Sequence, residues 1–225
     1  MAFLSNRHPS PGYAGPAWHR YALPLLLLIP ALGALPSSLP AQEMDAPAEL
    51  QIQLLYKILT FDRKLGARAP GNDIVIAVLF QTGYRSSVLA RDQVVDALKQ
   101  MRDSTIYGHS VQWVAMELTD VESLRLSLIR NRVGVIYVTP LRGVELDPIK
   151  MAAREAGITT FTGVPHYVEE GLALGVGVTR QRPRMGSGAG ITHERPQIIV
   201  NLGAARAEGS DFTAQLLRVS RVIGK

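Results

Sequence analysis

The chain has 225 residues, no cysteine, and 24 Lys+Arg against 19 Asp+Glu, a net charge of +5. The missing cysteine excludes disulfides, thiol catalysis and Cys-ligated metals. Aromatic residues make up only 6% and no long Lys/Arg block occurs, which argues against nucleic-acid binding.

The first 20 residues contain Arg7 and Arg20 and no acidic residue, and an apolar core follows from Tyr21 to Leu35. Leu39-Pro-Ala41 then supplies a small residue ahead of Gln42. A basic region, a short apolar core and a small-residue site predict a cleaved signal peptide over 1–41. A retained N-terminal anchor is the alternative, although Pro24 and Pro30 break a run already shorter than the roughly 20 apolar residues of a span. Without a cysteine at the site, a lipid anchor there is ruled out. Cleavage would remove two positive charges and lower the net charge from +5 to +3. Residues 42–225 suit one domain with a real core.

After a short flexible segment at 42–47, a helix is expected from near Pro47, since proline suits a first helical turn. Its stripe is Leu50, Leu54, Ile58 and Phe61, flanked by Leu55 and Leu59. Gly66 to Asn72 reads as a loop. Ile74 to Phe80 is a near-continuous apolar run, as in a strand covered on both faces. Ala90, Val94, Ala97, Leu98 and Met101 mark the next helix, and Val111 to Leu118 a second strand. Thr119-Asp-Val-Glu122 reads as a capping box opening a helix with Val121, Leu124 and Leu128 on one face.

Val133 to Val138 is the third strand. Ile149, Ala152 and Ala153 belong to a helix ended by Gly157, Ile158 to Phe161 is a fourth strand, and Val164 to Glu170 a short helix. Leu172 to Thr179 and Gln197 to Leu202 read as two more strands, joined by a long loop. A polar turn follows. Ser210 stands where a helix N-cap belongs, and Phe212, Leu216, Val219 and Ile223 form a helical stripe that Gly224 can end.

Strands alternating with helices predict a single-domain α/β sandwich with a largely parallel sheet flanked by helices. The last two strands can be antiparallel, since a loop rather than a helix joins them.

The chemistry candidates are thin. His109, His166 and His193 have no partner at metal-ligand spacing, so no metal is expected. Ser86, Ser87 and Ser187 lack a nucleophile elbow. Asp92, Asp96, Glu169 and Glu170 read as solvated helix faces. No catalytic residue and no cofactor is therefore assigned.

Gly186-Ser-Gly-Ala-Gly190, flanked by Arg180, Arg182, Arg184 and Arg195, can either cradle an anion or serve as a solvated connection. The missing strand-to-helix context favours the connection.

The better ligand candidates are the carboxyl ends of the parallel strands, where open α/β sheets collect ligands. Gln81, Thr82, Tyr84, Thr139 and Thr162 are the residues expected there. The alternative is that Gly83, Pro140 and Gly163 only make tight turns. Asn201, polar in an apolar strand, is expected to satisfy backbone groups where that strand ends.

Val200-Asn201, Ala204-Ala205, Gly209, Thr213 and Leu216-Leu217 resemble the C-terminal pattern of the YfiR family of periplasmic regulators. Leu54-Leu-Tyr-Lys-Ile-Leu-Thr-Phe61, Ile74-Val-Ile-Ala-Val-Leu79 and Tyr167-Val-Glu-Glu-Gly171 extend the resemblance to about 50–223. Arg63-Lys64-Leu65 stands where that family often has Trp-Pro, the 180–196 stretch is longer, and redox control through disulfides does not carry over.

The resemblance implies a non-enzymatic periplasmic protein. Its partner would be the periplasmic portion of an inner-membrane signalling protein, a diguanylate cyclase or sensor kinase, which it would hold inactive. Release would raise output such as cyclic-di-GMP. The resemblance also leaves room for a homodimer, with helix 47–61 serving either a core or an interface. The alternative is a small-molecule-binding protein that delivers a solute to a transporter or receptor.

Overall fold

The computed structural model describes residues 44–68, 73–181 and 193–224. The predicted signal peptide lies outside them. So do residues 69–72 of the 66–72 loop, Arg182, Arg184 and the 186–190 glycine run.

Helices α1 (Ala48–Leu59) and α2 (Leu65–Arg68) precede the strand β1 (Asp73–Phe80). Helix α3 (Arg85–Gln100), the short β2 (Thr105–Ile106) and β3 (His109–Glu117) follow. Then come α4 (Val121–Arg130), β4 (Val133–Val138), α5 (Asp147–Ala156), β5 (Thr159–Thr162) and α6 (Pro165–Glu169). The chain closes with β6 (Leu174–Gln181), β7 (His193–Asn201), α7 (Leu202–Ala207), α8 (Ala214–Val219) and β8 (Arg221–Ile223).

Among the described residues eight strands form one sheet, in the order β2-β3-β1-β4-β5-β6-β7-β8. From β3 to β6 all pairings are parallel, while β6 and β7 pair antiparallel. The expected α/β sandwich is thus the observed one, with β6 and β7 as its antiparallel pair.

The apolar run of β1 serves two cores. Ile74, Ile76 and Val78 face α1 and α3, whereas Ala77 and Leu79 face the Leu124, Leu128 and Ile149 side of α4 and α5. Period-two alternation with both faces covered is why no polar residue interrupts the run. In β4, Val135 and Tyr137 join the first core, and Ile136 and Val138 the second.

Several local expectations change. In α1 the buried face is Ile52, Leu55, Ile58 and Leu59, with Ala48 and Gln51, while Leu50, Leu54 and Phe61 are half-buried. This helix is apolar on two adjacent faces, so periodicity alone does not choose the one that meets the sheet. The N-cap of α4 is Asp120, not Thr119: Asp120 is extended and its carboxylate accepts from the Ser123 N–H at 2.8 Å. Part of the 66–72 loop is the single turn α2, which carries Arg68 toward Asp62. At the end of α5, Gly157 is left-handed, φ +64°, as a helix-ending glycine should be.

The β2–β3 hairpin was not legible as a pair of strands. Tyr107 and Gly108, at φ +54° and +81°, form a tight turn with both central residues left-handed. The connection read across 180–196 is shorter than expected, because the β6–β7 ladder runs out to Gln181 opposite His193. Pro196 and Arg195 therefore lie in β7. Pro196 sits beyond the 199–201 stretch that β8 covers, so β7 is an edge there and tolerates a residue without an N–H.

The C-terminal unit differs most. Leu202, read as the end of a strand, and residues 203–207, read as a turn, form α7, and the expected helix through Ile223 ends at Val219. Arg221 to Ile223 instead lie parallel to Ile199 to Asn201. The backbone groups on that side of β7 need partners, and β-branched Val222 and Ile223 fit a strand. Val219, expected in the stripe, is 72% exposed. Ser210 does not cap α8; its hydroxyl bonds Thr159 at 2.8 Å and accepts from Arg68.

Asn201 meets the expectation placed on it. Its side-chain oxygen accepts from the Ala204 N–H at 3.1 Å, capping α7, and its amide donates to the Val168 carbonyl at 3.0 Å. Asn201→Leu is expected to cost about 1–3 kcal/mol, since it removes a cap and leaves partners unmade. A shifted urea midpoint checks this; an unchanged one would mean that neither bond contributes to stability.

Candidate functional site

The strand order reverses at β1. The chain leaves β1 through α3 to reach β3 on one side, then returns through α4 to reach β4 on the other. The two crossover helices lie on opposite faces, so their loops diverge and open a crevice beyond the carboxyl ends of β1 and β4.

Four polar groups knit its floor. The Gln81 N–H donates to Ser87 Oγ at 2.9 Å, Ser87 and Thr139 hydroxyls are 2.7 Å apart, and Thr139 Oγ1 donates to the Leu79 carbonyl at 2.9 Å. Ser87 and Thr139 are fully buried, so each hydroxyl must be bonded inside the protein, and each is. Above them the Gln81 amide spans the crevice. Its Nε2 donates to the Arg142 carbonyl at 3.1 Å, and its Oε1 accepts from the Arg142 N–H at 3.0 Å.

The sequence-predicted residues are thus only partly united. Gln81 and Thr139 meet through Ser87. Thr82 is exposed and Tyr84 half-buried in the same turn, where the Tyr84 carbonyl opens α3 by accepting from the Ser87 and Val88 N–H groups. Thr162 stands apart, buried between β4 and β5, donating to the Val138 carbonyl and accepting from the Val164 N–H. Tyr167 closes the adjoining loop: its hydroxyl accepts from the Leu141 N–H at 2.8 Å, and burial raises its pKa.

Beside the crevice lies a cavity of about 420 Å³. Its walls are residues 44–47 ahead of α1, then Ser86, Leu89, Ala90 and Gln93 on α3, and Pro140 after β4. Sequence reasoning missed the first wall, because 42–47 has no periodicity and reads as a tail.

Gln51 holds that wall in place. Its Nε2 donates to the Ala46 carbonyl at 2.6 Å, and its Oε1 accepts from the Tyr137 hydroxyl, which also lies 3.1 Å from Met44 Sδ. Gly163 is what lets Gln51 through, since a Cβ there would overlap the Gln51 amide. The glycine after β5 therefore makes a close approach possible as well as a turn.

Chemically the cavity offers one exposed carboxylate, Asp45, with the hydroxyl of Ser86 and the amide of Gln93 on a mostly apolar wall. That is a binding set, with orientation supplied by a few polar groups. The remaining candidates are dispersed. His166 lies 2.6 Å from Glu170 and 3.6 Å from Glu169 on the surface of α6, at the three- and four-residue spacings that a helix brings together, which the sequence reading overlooked. Asp92 and Asp96 are exposed on α3 and pair with Arg91 and Lys99.

No family model and no curated protein matches this chain. Among solved structures, it is similar to a conserved domain protein from Vibrio cholerae, at 15% identity and TM-score 0.50 over 79% of this chain and 60% of that one. It is similar to the ABC domain in complex with L-Trp from Streptococcus pneumonia, at 12% identity and TM-score 0.51 over the same shares of 79% and 60%. A ligand-free, open substrate-binding protein with adhesive properties from Clostridium difficile aligns at 17% identity and TM-score 0.44, over 71% of this chain and 57% of that one. At these identities the likeness is one of fold, and the chain spans 60% of the length of the first two.

Proposed function

We propose that the chain is a non-enzymatic binding domain for a small molecule carrying an amine and an apolar body, held at the carboxyl end of the sheet. The observation that carries this reading is the cavity of about 420 Å³ beside the strand-order reversal, with Asp45 the carboxylate in its wall. Asp45 would hold the ammonium, Met44, Leu89 and Pro140 the apolar body, and Ser86 and Gln93 any further polar group. The L-Trp in complex with the pneumococcal neighbour supports this class of ligand. In this reading the protein works outside the cytoplasm, once residues 1–41 have been removed.

Calorimetry on the full chain tests it with L-leucine and L-tryptophan against N-acetyl-L-leucine, which lacks the ammonium. The free amino acids are expected to bind, the acetylated one not, and Asp45→Asn to weaken binding about tenfold through loss of a charge-assisted bond. Equal binding by Asp45→Asn, or no heat from any probe, would overturn the reading.

A second reading adds the readout that the YfiR resemblance implies. The residues that carry the resemblance pack together here: Ala204, Ala205 and Leu216 lie in the core beneath Val200, and Asn201 caps α7. Leu89, 51% exposed on the cavity wall, offers apolar surface to a partner. A ligand at the cavity would then favour or disfavour binding to a membrane signalling protein through its differential affinity for the two states.

A further inference from the structure

At the opposite, amino end of the sheet lies a second cavity of about 370 Å³, formed where α2, α4 and α5 end and where β4 and β5 begin. Arg68, Arg125 and Arg132 line it together, with Leu128 and Ile158 as apolar wall. Three observations there are independent of one another.

First, the Nε–H groups of both Arg68 and Arg125 are buried with no acceptor among the described residues. Buried donors are nearly always paired, and leaving one unpaired costs free energy. Second, Arg132 occupies the left-handed position, φ +51°, that ends α4, where glycine or asparagine is usual. Third, the charges of the other two arginines are compensated and that of Arg132 is not. Arg68 pairs with buried Asp62, and Arg125 with Glu122 at 2.9 Å. The Arg132 guanidinium, exposed at the cavity, has no ion-pair partner among the described residues.

A purely structural role accounts for the Nη groups of Arg68, which hold the Gly157 and Glu208 carbonyls at 2.8 and 3.2 Å. It does not account for the orphaned Nε–H of Arg125, nor for the uncompensated charge of Arg132.

We infer that this cavity is a binding site for a small organic carboxylate with an apolar tail, whose head is held by Arg132 and Arg125. A monoanion fits better than a phosphate dianion. Two helices, α4 and α5, end here, helix carboxyl ends carry negative partial charge, and the Glu155 carboxylate lies in the wall. The apolar wall takes up the tail, which a bare anion lacks.

The test uses the full chain and three sodium salts at equal ionic strength: hexanoate, phosphate and chloride, with binding read by calorimetry. Hexanoate is expected to bind and chloride not. Arg132→Asn, which keeps a residue tolerant of the left-handed backbone, is expected to weaken hexanoate binding about tenfold without moving the urea midpoint. Arg125→Gln is expected to act in the same direction, and Asp45→Asn at the other end of the sheet to leave hexanoate binding unchanged. If Arg125→Gln fails to fold, Arg132→Asn decides alone. Hexanoate behaving like chloride, phosphate binding more tightly than hexanoate, or Arg132→Asn binding as the wild type does would each overturn the inference.

Discussion

Arg68→Met is expected to lower the unfolding free energy by about 3–5 kcal/mol, the range for removing one partner from a buried ion pair. Asp62 is fully buried and the Arg68 side chain 16% exposed. Arg68 also gathers distant chain segments. Its Nη1 donates to the carbonyls of Gly157 and Glu208, and its Nη2 to Ser210 Oγ at 3.1 Å, with Thr159 Oγ1 3.1 Å from both nitrogens.

Methionine keeps much of the stem's apolar contact but takes the Arg68 donor from the Gly157 and Glu208 carbonyls and leaves the Asp62 carboxylate without its counter-charge. Asp62 retains the Lys64 and Asp211 N–H groups, at 3.0 Å each, which limits the loss. The double variant Arg68→Met, Asp62→Asn is expected to recover part of the loss, because it removes the stranded charge. Urea unfolding of the three variants measures the cycle. A shift below about 1 kcal/mol for Arg68→Met would mean that the pair behaves as a solvent-screened surface bridge.

Glu208 gives the second large effect, and it depends on pH. Burial pushes its carboxyl from 4.5 up to about 7, against the pull of two bonds from Thr160 and of the Arg154 and Arg68 charges. Those bonds come from the Thr160 N–H and hydroxyl, each at 2.8 Å. The folded protein then keeps this proton up to about pH 7, whereas the unfolded chain releases it near 4.5. Between those values the native state binds more protons, so stability falls as pH rises and levels off above about 7.

The shift corresponds to about 3 kcal/mol. Asp120, Asp147 and Glu169 are held below their usual ranges, by the Ser123 hydrogen bonds, by Lys150 and by Arg221 respectively. They titrate below this window and do not mask the effect. Glu208→Gln is expected to flatten the profile between pH 4.5 and 7. Urea midpoints at the two ends of that window check it; a wild-type profile that is already flat, or a variant as steep as the wild type, would contradict the assignment.

Neither group was legible in the sequence, for a physical reason. Asp62, Arg68 and Glu208 lie in segments without periodicity, and their contacts span sequence separations of up to 149 residues. The alternation of strands and helices was legible because burial on both faces of β1 and β4 requires continuous apolar runs. Gly157 as a helix end was legible too, since a left-handed terminus has a local signature.

The C-terminal helix was misread for the opposite reason. Val219 and Ile223 continue a helical spacing, but the open side of β7 supplies backbone partners that no local pattern reveals. At the crevice, Gln81 and Thr139 were found by topology. Ser87, which joins them, and Asp45, in the cavity wall, were not, because each gains its place only from the packing of α3 and of residues 44–47 against the carboxyl end of the sheet.

The most direct test of the central claim is amide-resolved NMR of the full chain titrated with L-leucine. Binding at the strand-order reversal predicts shifts concentrated at residues 44–47, along the first two turns of α3 and at the backbone following Pro140, saturating together with one affinity. Shifts that are absent, or that fall instead around Arg125, Arg132 and Gly157 at the other end of the sheet, would contradict it.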